Sequence, residues 1–407
     1  MTNIINIKIK INFLVRLLLF SILLTANTTG IISYFTNDIV AEGIVILLAF
    51  ILTFFLLIYK KKFSLLDYSF IFVAFYSIFV TLFNCFINGV SLKVFISFYY
   101  YLIPCLIFLN RKNPFLKENT DFFFFWAMVF LCINSLYAIY QTFNPTSFLQ
   151  LDGIRARGLM KSTLNYSGIL GAFFYCIILY KTKFTKFKIL TLLSMLVGGF
   201  LSMSKGLFIN LFLGFLLSFP TQLLFFQRIN KKILFTLNKF FLFIPIILLF
   251  VIYLFVKYDL FEYFQTLLAF VNFKTDQSNI DRYNYWINII PAFLSNPLGY
   301  GIGQISSGTT FVDKAVNFES YIFDSIYMLG IVSFVYFYIP IKWIIINLKK
   351  ITFSKKQQLL LMFFIGICIQ NLIQASMLTP ATLIITWFNI VLLPIYLNKG
   401  FENENMD

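Results

Sequence analysis

The 407-residue chain contains no histidine, and its acids are few: 16 Asp and Glu stand against 32 Lys and Arg, with charged residues together only 12%. Without an imidazole, the side chain best suited to proton transfer near neutral pH and the commonest zinc ligand are both missing from any mechanism. The composition is 60% hydrophobic with a mean hydropathy of +0.86, far from the soluble norm of about 45–50% apolar and roughly 25% charged. That excludes a soluble globular domain. Cysteine is equally uninformative as chemistry. Cys85, Cys105, Cys132, Cys176 and Cys368 all fall in apolar stretches with no C-x-x-C spacing, and read as buried filler without a redox or metal role. The 56 phenylalanines suggest codon bias more than an aromatic platform.

What is present is a succession of apolar runs of about 20 residues, each long enough to cross a hydrocarbon core of roughly 30 Å. The pattern predicts an all-α, polytopic membrane protein with about twelve transmembrane helices, at 12–34, 39–59, 65–87, 92–109, 121–141, 165–180, 189–203, 206–226, 238–256, 319–341, 358–377 and 379–397. With the N-terminus inside, 23 of the 32 cations lie on cytoplasmic segments, among them Lys60, Lys181 and Lys350. This agrees with the positive-inside rule, and it explains the net charge of +16 by distribution, with no nucleic-acid partner. Ten of the 16 acids fall outside or near outer helix ends. The chain therefore divides into N-terminal spans (1–141), a first outer loop (142–164), spans six to nine (165–256), a large outer loop between spans nine and ten (257–318), and C-terminal spans with a short cytoplasmic tail (319–407). Loops of such length usually carry function or structure of their own. Within the second, Leu260, Phe264, Leu267, Leu268 and Val271 repeat at helical spacing, which fits either an interfacial helix or packing against the bundle.

Residues able to do chemistry gather on the outer side. Arg155 and Arg157 are two apart, so in an extended segment both guanidinium groups point one way; the pair suits a pyrophosphate or lipid headgroups. Lys205, in Ser204-Lys205-Gly206, fits an interfacial anchor or a point charge for phosphate. Arg282 and Trp286 would share a helix face at i,i+4, where the indole could stack on a guanidinium or a sugar ring, or serve as a belt aromatic. In Asn296-Pro297-Leu298-Gly299-Tyr300-Gly301 the glycines have no βαβ unit around them. They fit a turn whose N–H groups approach an anion or sugar, or a purely structural turn. Glu319-Ser320 stands at the outer mouth of span ten, as a helix-start charge or as a group that takes a proton from a sugar hydroxyl.

In order and spacing over about residues 150–340, Arg155-x-x-Gly158 with Asn165, Ser204-Lys205-Gly206, Arg282-x-x-x-Trp286 and Asn296-Pro297-x-Gly299-x-Gly301 resemble the O-antigen ligase/polymerase superfamily of bacterial envelope enzymes. The family usually has Arg where Lys205 stands. The resemblance implies a GT-C-like glycosyltransferase, free of metal and cofactor. It would use undecaprenyl-pyrophosphate-linked glycans as donor and acceptor on the periplasmic or external face of the inner membrane. Ligases of this superfamily carry H-[NSQ]-x9-G at the mouth of a late span; here Glu319-Ser320 is followed by Gly330, so the position is filled but the histidine is absent. That favours a Wzy-type polymerase of O-antigen or capsule repeat units, working with a chain-length regulator. Such polymerases also show an Arg followed by Gly sixteen positions on, as Arg155 and Gly171 are.

The reading implied for the site makes Glu319, Arg282 and Arg155 catalytic. Arg157, Lys205, Asn165, Trp286, Gly299 and Gly301 would bind substrate. Two rivals remain: a ligase transferring glycan to lipid A-core, which calls for the histidine, and a lipid-linked oligosaccharide flippase, which calls for charges along a central cavity.

Overall fold

The computed structural model describes residues 2–60, 62–88, 97–144, 149, 155–226, 277–302, 318, 320–351, 354–373 and 376–404. Every regular element among them is a helix: α1 (Thr2–Asn27), α2 (Thr29–Phe35), α3 (Asp38–Leu57), α4 (Leu65–Asn88), α5 (Tyr99–Leu109), α6 (Pro114–Glu118), α7 (Thr120–Phe143) and α8 (Thr163–Leu179). These are followed by α9 (Thr185–Leu201), α10 (Lys205–Phe226), α11 (Gln277–Ile287), α12 (Ile289–Ser295), α13 (Tyr321–Leu329), α14 (Val332–Lys350), α15 (Ser354–Ile373), a 3-10 turn (Ser376–Leu378) and α16 (Pro380–Glu404).

Seven described helices are long and apolar enough to cross a membrane, and three shorter apolar helices, Tyr99–Leu109, Thr163–Leu179 and Gly206–Ser218, stand with them. The chain is a multi-pass membrane protein. The expected spans at 238–256 and the helical repeat of Leu260 to Val271 lie outside the described residues. Two expected spans are interrupted. The run at 12–34 breaks at Thr28 between α1 and α2. The run at 319–341 breaks at Gly330, whose φ of +56° ends α13 before α14 begins.

Burial separates the centre from the rim. The Pro380–Asn398 stretch of α16 is 89% buried, against 33% for the corresponding stretches of α1 and α3, so α16 is a central post. Phe13, Phe54, Phe75 and Phe79 point outward from the surrounding helices. In lipid, helices gain little from hiding apolar surface and associate through close packing and interhelical hydrogen bonds. The α10–α15 contact shows both: a Cβ on Gly214 would lie 2.8 Å from the Met362 carbonyl oxygen, and Asn210 Nδ2 donates to Gln370 Oε1 at 2.6 Å. Gln370 Nε2 continues to the Ser167 carbonyl at 3.2 Å. Gly171 leaves room for this pair, since a Cβ there would come within 2.7 Å of Asn210 Nδ2.

The end bearing the expected cytoplasmic loops is tied by a buried ion cluster. Asp67 pairs with Arg111 and, at 3.0 Å, with Lys60, and it accepts from the Ser64 N–H at 2.7 Å. The Arg111 guanidinium also lies over the Phe108 ring, 4.2 Å from its centroid. Four of the cysteines are buried as expected, while Cys368 is only partly so.

Candidate functional site

Toward the other end of α7, the described residues of the following segment resume at Arg155. Arg155 is exposed, Ala156 fully buried and Arg157 half-buried, the alternation expected when 155 and 157 share one side. Two buried amides of α7 hold this segment. Gln141 Nε2 donates to the carbonyls of Leu149 (2.7 Å) and Gly158 (3.0 Å), while its Oε1 accepts from the Gly158 N–H at 3.0 Å. Asn134 Oδ1 accepts from the Leu159 N–H at 2.7 Å, and its Nδ2 donates to the Asn27 carbonyl at 2.8 Å. Gly158 takes φ +60°, and a Cβ on it would lie 2.6 Å from Asn134 Oδ1; the glycine of Arg155-x-x-Gly158 is thus required by backbone shape and by space.

The arginine segment is fixed to its neighbours as well. The Gly30 N–H donates to the Leu159 carbonyl at 3.0 Å. Lys161 Nζ reaches Glu42 Oε1 at 3.0 Å and Asp38 Oδ2 at 3.2 Å. Burial alone would lower the Lys161 pKa, but the two carboxylates outweigh it and raise it above the ordinary lysine value. Arg157 Nη1 donates to the Lys161 carbonyl at 2.6 Å, which leaves the rest of its fork to other partners.

The Ser204-Lys205-Gly206 motif sits directly beside this segment. The Ala156 N–H donates to the Leu201 carbonyl at 3.1 Å, so the residues after Leu201 turn next to Arg155 and Arg157. Met203 turns the chain with φ +49°, and Ser204 Oγ accepts from the Leu207 N–H at 3.4 Å, capping the start of α10 with Lys205 as its first residue. Only the backbone of Lys205 is described.

Asn165 lies deeper. Ser162 Oγ caps α8 by accepting from the Asn165 N–H at 3.3 Å, while the Asn165 side chain is fully buried, with neither amide atom hydrogen-bonded among the described residues. Its carbonyl accepts a long bond, 3.5 Å, from Thr382 Oγ1 at the start of α16.

Arg282 and Trp286 lie on α11, both half-buried between the exposed Tyr283 and Tyr285. They do share a face. The indole, however, is committed: Trp286 Nε1 donates to the Phe318 carbonyl at 3.0 Å, and its ring meets Phe323 edge-on at 5.5 Å. Glu319 lies outside the described residues. Its neighbours do not: Ser320 Oγ caps α13 by accepting from the Phe323 N–H at 3.4 Å, and it donates to the Asn371 carbonyl at 3.4 Å.

The amides of the glycine turn bond within the chain. The Gly299 N–H donates to Asn296 O, the Tyr300 N–H to Tyr327 O and the Gly301 N–H to Met328 O, each at 3.0 Å. Ile302 N donates to Thr81 Oγ1 at 2.9 Å. Gly299 and Gly301, expected among the substrate-binding residues, therefore have both amides engaged inside the chain. Their positive φ values, +91° and +83°, let the turn close onto the carbonyl end of α13, where Tyr300 stacks on Tyr327 at 4.3 Å.

Two groups of the expected residues result. The Arg155/Arg157 segment adjoins the chain turn that leads into Lys205 at the end of α9, and Trp286, on the helix that carries Arg282, meets Phe318 at the mouth of α13. Buried bonds also fix the 3-10 turn: Met377 N donates to Asn371 Oδ1 at 3.2 Å and the Tyr100 hydroxyl to the Leu378 carbonyl at 2.8 Å. Sequence reasoning missed Gln141 and Asn134, although an amide within an apolar span was the visible signal. It placed Asp324 among the acids outside or near outer helix ends, and, with Asp281, as the next candidate base after Glu319; the residue is wholly buried, with Oδ1 accepting from the Phe318 N–H at 3.4 Å.

Residues 190–338 match the family model described as O-antigen ligase. That stretch, which holds Lys205, Arg282, Trp286 and the glycine turn, is similar to the O-antigen ligase family. Arg155, Arg157 and Asn165 precede the matched residues. The matched family covers O-antigen ligases and related polymerases. No curated protein matches the chain.

Proposed function

We propose that the chain polymerises undecaprenyl-pyrophosphate-linked oligosaccharide repeat units into O-antigen or capsular polysaccharide, on the outer face of the bacterial inner membrane and with a chain-length regulator as partner. The observation that carries this reading is the Ala156–Leu201 hydrogen bond. It holds the Arg155/Arg157 segment to the chain that turns into Ser204-Lys205-Gly206, so the backbones of two separate cation-bearing motifs lie at one helix end. A ligase of the same superfamily remains the second reading. The lack of any histidine in the chain favours the polymerase.

In the proposed reaction a hydroxyl of the incoming repeat unit attacks the anomeric carbon of the lipid-linked polymer. The new carbon–oxygen bond forms as the bond to the pyrophosphate breaks, and undecaprenyl pyrophosphate departs with the electron pair. Arg155, Arg157, Lys205 and Arg282 neutralise the charge that develops on it. Guanidinium forks hold two phosphate oxygens at once. Glu319 takes the hydroxyl proton. Asn165, whose buried carboxamide has no partner among the described residues, belongs to the substrate-binding set, and Trp286 contributes through the mouth it helps to build.

Deleting the gene and resolving the surface polysaccharide on a gel tests the assignment. Single-repeat material is the expected result. Loss of all capped lipid A-core would instead indicate a ligase, and lipid-linked units retained on the cytoplasmic side a flippase.

A further inference from the structure

Phe318 is held on both of its backbone polar groups. Asp324 Oδ1 accepts its N–H at 3.4 Å, from within the first turn of α13, and Trp286 Nε1 donates to its carbonyl at 3.0 Å from α11. The two holding residues belong to different elements, and Phe323, one residue before Asp324, packs its ring against the Trp286 indole at 5.5 Å. Phe318 itself is buried, 1% exposed, with its ring 5.4 Å from that of Tyr327. Asp324 is one of only two fully or nearly fully buried carboxylates among the described residues. The other, Asp67, is neutralised by Arg111 and Lys60 at the far end of the bundle.

We propose that Asp324 and Trp286 are positioning residues that clamp Phe318 from opposite sides and thereby fix the mouth of α13 against the helix carrying Arg282. Neither needs to touch substrate. A carboxylate in the first turn of a helix is favoured by the aligned peptide dipoles, and in a site sealed from water a hydrogen bond to a backbone N–H holds more firmly than it does at a wet surface. Arg282 can act on a departing pyrophosphate only if α11 is held at a constant distance from the acceptor, and displacement by about 1 Å is enough to cost on the order of 100-fold in rate. Trp286 therefore serves as a strut through its N–H, in place of the sugar platform that its i,i+4 spacing to Arg282 suggests. The inference rests on the polymerase reading for its kinetic consequence and on geometry alone for the clamp.

The test uses the full-length protein in lipid nanodiscs with a lipid-linked repeat unit as substrate, and the variants Asp324→Asn, Asp324→Ala and Trp286→Phe. Asn keeps an acceptor oxygen for the Phe318 N–H, and Phe keeps a ring but loses the N–H. Asp324→Asn is expected to stay within about threefold of the parent with an unchanged pH profile. Asp324→Ala and Trp286→Phe are expected to lose about tenfold or more in kcat with KM little altered. If Asp324→Asn is as inactive as Asp324→Ala and a limb of the pH profile disappears, the carboxylate handles a proton and the clamp is overturned. Parental rates in Asp324→Ala overturn it equally.

A readout independent of activity separates this from failure of the polymerase reading. The difference between parental and Trp286→Phe emission spectra isolates Trp286. Asp324→Ala should shift that component to longer wavelength and Asp324→Asn should not. If the parental protein extends no lipid-linked units, the functional reading falls, and this shift or its absence decides the clamp. If Asp324→Ala does not fold, the Asp324→Asn and Trp286→Phe pair decides it.

Discussion

The Ala156 amide donates to the Leu201 carbonyl at 3.1 Å, and through this bond two motifs that are 45 residues apart in the chain become neighbours at one helix end. In the proposed mechanism a departing pyrophosphate needs cations on a rigid frame, and this bond holds the backbones of the two cation-bearing motifs together. Arg155→Ala and Arg282→Ala are each expected to abolish polymerisation, and Arg155→Ala to do so without lowering protein level, because an exposed loop arginine contributes little to the fold. Arg→Lys should rescue poorly, since the bidentate fork is lost. Normal chain length in both Ala variants, read on a polysaccharide gel, would reduce these residues to loop anchors.

Gly158→Ala is expected to disturb the same loop from beneath. The substitution meets φ +60° and a Cβ position 2.6 Å from Asn134 Oδ1, so both backbone and neighbour must move. A cost of about 1–3 kcal/mol follows for a non-glycine held in that region of backbone space. Thermal unfolding should show the loss, and chain length should shorten because Arg157 adjoins the strained residue.

Lys161→Met separates structural cations from functional ones. Lys161 is occupied by Glu42 and Asp38 at 3.0 and 3.2 Å, so removing it should leave chain length near normal, in contrast to Arg155→Ala. A partly exposed pair contributes no more than about 1 kcal/mol. Its pKa is raised in the folded protein. The contribution is therefore complete below the unfolded value of 10.5 and is lost only as pH rises through the higher folded value. Thermal stability of parent and variant should accordingly differ by a constant, small amount across neutral pH; shortened polymer in Lys161→Met would make it a substrate ligand.

How much of this was legible in the sequence depends on how local the determinant is. Asp38–Leu57 was expected at 39–59 because an uninterrupted apolar run specifies a spanning helix without outside help. The break at Gly330 was not visible, because apolar residues continue through it. The helix stops there because Ile331 N turns aside to the Pro297 carbonyl at 2.8 Å, a partner over thirty residues away. The sharing of a face by Arg282 and Trp286 was readable from helical spacing, whereas the commitment of the indole to Phe318 was not, since it needs the position of a second element. The same holds for Gly171: its distance from Arg155 was noticed, but its use as space for the Gln370–Asn210 pair depends on three helices meeting.

Asp67→Ala and Arg111→Ala should act on stability alone, at the end of the bundle far from the arginine loop. Breaking a buried ion pair costs about 3–5 kcal/mol because an uncompensated charge remains. Asp67→Ala should be the worse of the two. It leaves Arg111 and Lys60 buried together, whereas Arg111→Ala leaves Asp67 its 3.0 Å contact with Lys60. Melting of purified protein in detergent gives the order. Surviving protein should still make polymer of normal length, and equal melting points for both variants would mean that Lys60 does not share the charge.

Glu319 carries the sharpest prediction. It occupies the position at which ligases of this superfamily place histidine, eleven residues before Gly330, and an ionised carboxylate can do the same proton work if water-facing and close to a helix start. Glu319→Gln should retain donor binding, since Arg155, Arg157, Lys205 and Arg282 are untouched, while turnover falls by a factor on the order of 10²–10⁴, the usual range for loss of a general base. Glu319→His should keep a trace of activity by restoring an imidazole in an otherwise unchanged acceptor site. Extension of lipid-linked repeats by purified Glu319→Gln at near the parental rate would remove the base from the mechanism. Catalysis would then rest on the cations alone, with the pyrophosphate leaving readily enough for an unactivated hydroxyl to attack.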